Sequence, residues 1–279
     1  MNNNKVTNNI RIDIKEVFRD KNPRLAGIIP GFIIRYLKKV IHEDEINDFM
    51  SKYGNLCDID LVKAGLSYLG INYHVHNKHN IPGSGRYVFV SNHPLGGLDG
   101  LVFMAELSKY FDELKFPVND ILLNISNMSG VFLPINKHGS QARESALEIE
   151  AAYASDSQIL YFPAGLCSRK KRGVIKDLQW QKYFLVKAIK HERDIVPVYF
   201  SGRNSNWFYN LSNLRKAIGI KANIEMLYLP DEMFQQKEKE LHIVFGKCLS
   251  WKTFDKSKTP IEWAEWIKNK SYELADAIQ

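Results

Sequence analysis

The chain has 279 residues, with 38 Lys and Arg against 31 Asp and Glu, for a formal net charge of +7. Hydrophobic residues make up 45% and charged residues 25%, an ordinary globular balance that excludes a disordered chain and a fibrous repeat. That length supports one α/β domain with its own core and a helical N-terminal appendage.

The N-terminal part reads as helical. Met1 to Asn9 is Asn-rich and is expected to fray. Leu25 to Ile34 is uncharged but only ten residues long, too short to span a bilayer. Beyond Pro30, the residues Ile33, Tyr36, Leu37, Val40 and Ile41 fall at helical spacing among Arg35, Lys38 and Lys39. A basic amphipathic helix of this kind suits a membrane interface, and equally an ordinary helix packed on the core. Helices over 44–52 and 59–69 follow, the second closed by Gly70. Residues 1–70 are thus expected to form an N-terminal helical, membrane-interfacial segment, and 71–279 the α/β domain.

Ile71 to His76 alternates like a strand and carries His74 and His76, with His79 just beyond. Alternate strand residues share a face, but no nearby carboxylate or cysteine completes a metal set, and no metal is expected. The three cysteines, Cys57, Cys167 and Cys248, are widely spaced and odd in number, and no signal-peptide pattern precedes them. A reducing cytoplasm is expected rather than a disulfide framework.

Tyr87 to Val90 is aromatic and β-branched and reads as a buried strand. It ends in Ser91-Asn92-His93, where Pro94 forbids ordinary continuation, and Gly96-Gly97 permits a tight turn into a helix with Asp99 near its first turn. A histidine and a carboxylate are thereby held across a rigid strand-to-helix turn. The carboxylate can accept one imidazole N–H and leave the other nitrogen free as a base.

The helix after Asp99 is expected to reach Phe111, with strands at 121–123 and 131–135 and a helix over 140–154. Ile159 to Phe162 is an apolar strand ended by Pro163-Ala-Gly165. From Leu166 to Lys190 the only acid among many Lys and Arg is Asp177. A helix is expected over 175–191, and Arg169 to Arg172 is expected as a loop at a strand's carboxyl end, where open α/β sheets collect ligands. Strands follow at 195–200, 224–229 and 241–245, with 232–240 a charged solvated segment. A final helix after Pro260 carries Trp263, Trp266 and Ile267 on its core side. Alternating helix and strand gives an α/β fold: a mostly parallel mixed sheet flanked by helices.

Four blocks in this order resemble the glycerolipid (phospholipid/glycerol) acyltransferase family. They are Asn92-His93 with Asp99; Gly130-Val-Phe-Leu-Pro134-Ile-Asn136-Lys137; Phe162-Pro163-Ala164-Gly165-Leu166-Cys167-Ser168-Arg169; and Ile195-Val-Pro197-Val-Tyr-Phe200. Five residues separate His93 from Asp99, one more than the commoner spacing, and the Pro-Leu-Gly-Gly-Leu-Asp form is similar to the hemolysin-like branch with its ornithine-lipid and glycine-lipid O-acyltransferases. The usual Glu and Arg of the third block are replaced by Ala164 and Cys167.

The resemblance implies an acyltransferase-like fold and transfer of a fatty acyl chain to the hydroxyl of a lyso-lipid. The donor would be acyl carrier protein or a coenzyme A thioester, with no further cofactor. His93 would be the general base and Asp99 its partner. Asn92, Lys137, Gly165, Ser168 and Arg169 would contact substrate, with Lys137 and Arg169 on an anionic group and backbone N–H groups near Gly165 on the oxyanion. The enzyme is then expected in the cytoplasm, peripheral on the inner face of the cytoplasmic membrane. A lysophosphatidate acceptor is the alternative. Two other classes compete: a hydrolase using Cys167 or Ser91 with His93, for which no G-x-S-x-G is present, and a non-catalytic basic membrane module. An RNA-binding pattern of basic and aromatic residues is lacking, and no nucleic acid is expected.

Overall fold

The structure is a computed structural model that describes residues 12–21, 29–119, 122–135 and 141–278. Helices α1 (Ile14–Lys21), α2 (Gly31–Val40), α3 (Glu43–Tyr53) and α4 (Asp58–Tyr68) precede strand β1 (Asn72–His76). Next come β2 (Tyr87–Ser91), α5 (Gly97–Leu107), β3 (Leu114–Val118), β4 (Phe132–Pro134), α6 (Gln141–Ala154) and β5 (Gln158–Tyr161). A hairpin of β6 (Arg169–Lys171) and β7 (Val174–Lys176) leads to α7 (Tyr183–Lys190) and β8 (Asp194–Phe200). The chain ends with α8 (Asn206–Ala217), α9 (Leu229–Phe234), β9 (Glu240–Phe245) and α10 (Pro260–Glu273).

Seven strands pair in the order β1-β9-β8-β2-β5-β3-β4. Every neighbouring pair is parallel except β8 with β9, so the sheet is mixed but mostly parallel. The two-residue period of a strand sorts the apolar runs to both faces. Phe89 of β2 shares one face with its register partners Leu160 and Val196, beneath Leu61 and Val62 of α4 and Leu98 and Phe103 of α5. Val88 and Val90 share the other with Ile159 and Ile195, beneath Tyr153 of α6, Phe184 of α7 and Ile267 of α10. Burial on both sides is why these strands read as continuous apolar runs. The arrangement also aligns the carboxyl ends of β2, β5 and β8 at one edge of the core, where the Asn92-His93 turn begins.

Four expected segments differ. No strand stands at 122–123, where Leu122–Asn124 is a 3-10 turn, and Ile121 lies outside the described residues. The strand is instead Leu114–Val118, hidden in the sequence by Lys115 and by Pro117, a residue that gives the ladder no N–H. The basic stretch is not loop and long helix but the β6–β7 hairpin followed by the short α7. Arg172 and Gly173, both at positive φ (50° and 85°), make its turn. Residues 224–228 form a 3-10 turn running into α9, whose second residue is Pro230, rather than a strand. The segment read as solvated buries Glu232 and Gln236.

Candidate active site

Asn92 closes the end of β2. Its Nδ2 donates to the Phe200 carbonyl at 2.9 Å and its Oδ1 accepts the Phe200 N–H at 2.7 Å, tying the ends of β2 and β8 together. His93 is the next residue, at a point the sheet has made rigid. The turn that follows reverses tightly at Gly96, φ +83°, where a Cβ would stand 3.1 Å from Leu229 and 3.2 Å from Cys167. A side chain there would be strained in backbone and crowded in space.

The turn delivers Asp99 back to His93. Asp99 Oδ2 accepts from His93 Nδ1 at 3.0 Å, from the Leu95 N–H at 2.8 Å and from the Gly96 N–H at 3.2 Å. An ionised carboxylate only accepts, so Nδ1 carries the proton and the Nε2 lone pair is free. Burial pushes the Asp99 carboxyl above its ordinary range, opposed by the His93 hydrogen bond and the two backbone donors. The His93 side chain keeps 17% exposure while that of Asp99 has none, so the base meets incoming molecules and its partner does not.

The backbone of His93 is held from a second side. Its carbonyl accepts the Ser168 N–H at 2.8 Å and its N–H donates to Asp177 Oδ1 at 3.2 Å. The buried Asp177 carboxylate also takes the Ser168 hydroxyl at 2.6 Å and the Trp180 indole N–H at 2.9 Å. Phe162 stacks on the imidazole at 4.0 Å between centroids and 17° between planes. Phe162 in turn contacts Phe103, Phe116 and Phe200, so the ring under the base is wedged in an aromatic cluster.

The remaining expected contact residues divide. Gly165, φ +67°, sits in a turn beside the site; a Cβ there would meet open space, and its N–H donates to the Phe162 carbonyl at 3.0 Å. That N–H is therefore committed to the turn. Ser168 is buried and serves His93 through backbone and hydroxyl. Lys137 lies outside the described residues. Arg169, expected on an anionic substrate group, is only 5% exposed as a side chain. Its Nη2 pairs with Glu225 at 3.0 Å and its Nη1 donates to the Cys167 carbonyl at 2.7 Å. Glu225 is shared with Arg215, so Arg169 is a neutralised strut inside the fold.

The Cys167 thiol is fully buried, and burial pushes its pKa up to about 12, the opposite of what a nucleophile needs. Ser91 is likewise fully buried, its hydroxyl donating to Asn92. Sequence reasoning assigned no role to Asp177, Phe162 or Glu225. Asp177 had a visible signal, as the lone acid of a basic stretch. Glu225 had none, because only folding brings it between Arg215, ten residues away, and Arg169, fifty-six residues away.

Comparison with known proteins decides the family. The model of a family described as acyltransferase matches residues 16–279. This chain belongs to it. The enzyme is an O-acyltransferase, and its sequence is 47% identical over 264 residues to a protein named lyso-glycine lipid O-acyltransferase from Bacteroides thetaiotaomicron, covering 94% of this chain and 97% of that one. A protein of the same name from Phocaeicola vulgatus is 44% identical over 264 residues, covering 94% and 95%. Among solved structures the fold matches the 1-acyl-sn-glycerophosphate acyltransferase PlsC from Thermotoga maritima with a TM-score of 0.50 over 78% of each chain, at 17% identity. Among the described residues of the enzyme, no helix is long and apolar enough to cross a membrane.

Proposed function

We propose that the enzyme transfers a fatty acyl chain from acyl carrier protein or coenzyme A to the hydroxyl of a lyso-aminolipid, with lyso-glycine lipid as the acceptor. The observation that carries the chemistry is the His93–Asp99 pair at the carboxyl end of the sheet, with Nδ1 held by the carboxylate and the imidazole partly exposed. His93 Nε2 takes the hydroxyl proton as the alcohol oxygen attacks the thioester carbonyl. Asp99 holds Nδ1–H and balances the imidazolium. The tetrahedral oxyanion collapses, the C–S bond breaks, and the proton on Nε2 passes to the leaving thiolate. A positioned base supplies about 10²–10⁴-fold in rate. The positive end of α5, where a Cβ on Gly97 would meet nothing within 4 Å, is the backbone feature we assign to the oxyanion.

The acceptor reading is supported by the names of the two relatives and by the charge of the third block. Ala164 and Cys167 bring no charge, and Arg169 spends its own on Glu225. A lyso-lipid with a single carboxylate asks for less positive charge than a phosphomonoester, which is met by paired basic groups. Reaching such an acceptor places the enzyme peripherally on the inner face of the cytoplasmic membrane. The test is a competition assay with lyso-glycine lipid and lysophosphatidate at equal concentration and a labelled acyl thioester. Faster acylation of lyso-glycine lipid is expected; preference for lysophosphatidate would overturn the acceptor. His93→Ala is expected to lose about 10²–10⁴-fold in the same assay while remaining folded.

A further inference from the structure

The helix α8 presents two apolar faces. Its inner face buries Phe208 and Tyr209 against Cys167, whose neighbour Ser168 holds the His93 carbonyl. Its outer face leaves Trp207, Leu214 and, at the C-terminal cap, Ile218 exposed by 56%, 59% and 62%. At 100° per residue, spacings of seven and four put these three on one side of the helix. An exposed apolar stripe of this size on a folded chain marks a contact surface.

The stripe continues onto a distant part of the chain. The Trp207 ring packs edge-on against Tyr228 at 5.9 Å, and the Tyr228 hydroxyl meets that of Tyr36 on α2 at 2.8 Å. Around Tyr36, α2 exposes Phe32 and Ile33. Segments 29–41, 168–176 and 203–224 contain Arg and Lys but no Asp or Glu. Arg169 and Arg215 are spent on Glu225, and Lys38 on Glu43, so the cations left for a partner are the unpaired ones of these segments. The β6–β7 hairpin lies directly against α8, its Lys170 bonded to Asn206 at 3.2 Å, and presents Lys171 and Arg172 to solvent. Aromatic and aliphatic side chains rimmed by cations complement the apolar boundary and anionic head groups of a bilayer.

We propose that the outer face of α8, joined through Tyr228 to α2, is a docking surface for an anionic lipid bilayer. It rests on the reading of a membrane lipid acceptor and adds where that acceptor enters. A helix is about 10 Å across, so a bilayer on the outer face lies one helix away from the Cys167-Ser168 segment that holds His93.

The test uses the full chain and vesicles of phosphatidylcholine mixed with phosphatidylglycerol. Leu214→Ser/Ile218→Ser is expected to lower vesicle partitioning by about tenfold, with an unchanged melting temperature. Its transfer to an acceptor dispersed in non-ionic detergent should match the parent, since neither residue touches the site. Trp207 emission should shift to the blue on adding vesicles, a shift that Trp207→Phe removes. Unchanged partitioning of the double variant overturns the proposal. So does a lipid-free dimer, seen by sedimentation, that the double variant abolishes, because the stripe would then face a second copy. A parent chain that binds vesicles through these residues yet transfers no acyl group supports the surface and overturns the functional reading instead.

Discussion

The chemistry turns on one oxygen atom. Asp99 Oδ2 gathers three donors while Oδ1, buried, has no partner among the described residues. Removing the charge should therefore divide activity from stability. Asp99→Asn is expected to cut transfer by about 10²–10⁴-fold, because a neutral amide no longer balances the imidazolium. Stability should move the other way with pH. The Asp99 carboxyl titrates above its ordinary range in the fold, so across that window the folded state binds more protons than the unfolded one. The stability of the fold then falls as pH rises through the window, and the asparagine variant feels none of it. The melting temperature of Asp99→Asn relative to the parent should accordingly increase from acid to neutral pH; a constant difference would refute the sign. Cys167→Ser tests the thiol in the same way. Most activity should remain, while burying a hydroxyl beside Phe208 and Tyr209 costs about 1–3 kcal/mol of stability. Turnover abolished in a folded protein would make the sulfur a participant.

At the scale of elements, the β6–β7 hairpin, α8 and the 3-10 turn at Ile224–Tyr228 are joined by Glu225 between Arg169 and Arg215. Arg169 follows Ser168 directly, so the strut braces the segment that holds the His93 backbone. Losing one partner of a buried ion pair typically costs about 3–5 kcal/mol. Arg169→Ala should sit near the low end of that range, because Glu225 keeps Arg215. The kinetic signature separates support from substrate binding. A strut should lower kcat with both KM values nearly unchanged, whereas an anion contact would raise KM for one substrate alone. The exposed cations of the hairpin are a different population, and their role is read at the surface of α8.

For the whole molecule, the N-terminal helices are unequal. Leu61, Val62 and Leu66 of α4 lie in the same buried cluster as Phe89 of β2, and α3 adds Phe49 and Tyr53 at its edge. His42 stacks on Phe234 of α9 at 4.1 Å. By contrast, α2 buries only Val40. A chain beginning at His42 should fold cooperatively and bind vesicles more weakly, since it keeps the α8 stripe but not Phe32, Ile33 and Tyr36. A chain beginning at Ile71 would forgo several side chains worth about 2–5 kcal/mol each and should aggregate or remain unfolded. Cooperative unfolding of that shorter chain, followed by circular dichroism, would show that residues 1–70 are an independent appendage.

Much of this was legible along the chain, and the reason is locality. Strands buried on both faces must be continuously apolar, so Tyr87 to Val90, Ile159 to Phe162 and Ile195 to Phe200 declared the sheet. The turn from Asn92 to Asp99 is built from neighbours, and its Pro and Gly residues encode its shape before any packing occurs. The β3 strand escaped notice because Pro117 and Lys115 break the pattern, and the β6–β7 hairpin because charged residues conceal its alternation. What the sequence could not assign was the partner of each buried charge. Arg169 and Asp177 look alike to a linear reading, as charged residues in a basic stretch, yet one is neutralised by Glu225 and the other grips the His93 backbone. Pairing of buried charges depends on which groups meet when water is expelled. The same holds for Trp207 and Tyr36, brought onto one surface by Tyr228: apolar character is written locally, but whether it faces the core or the outside is decided only by the packed fold.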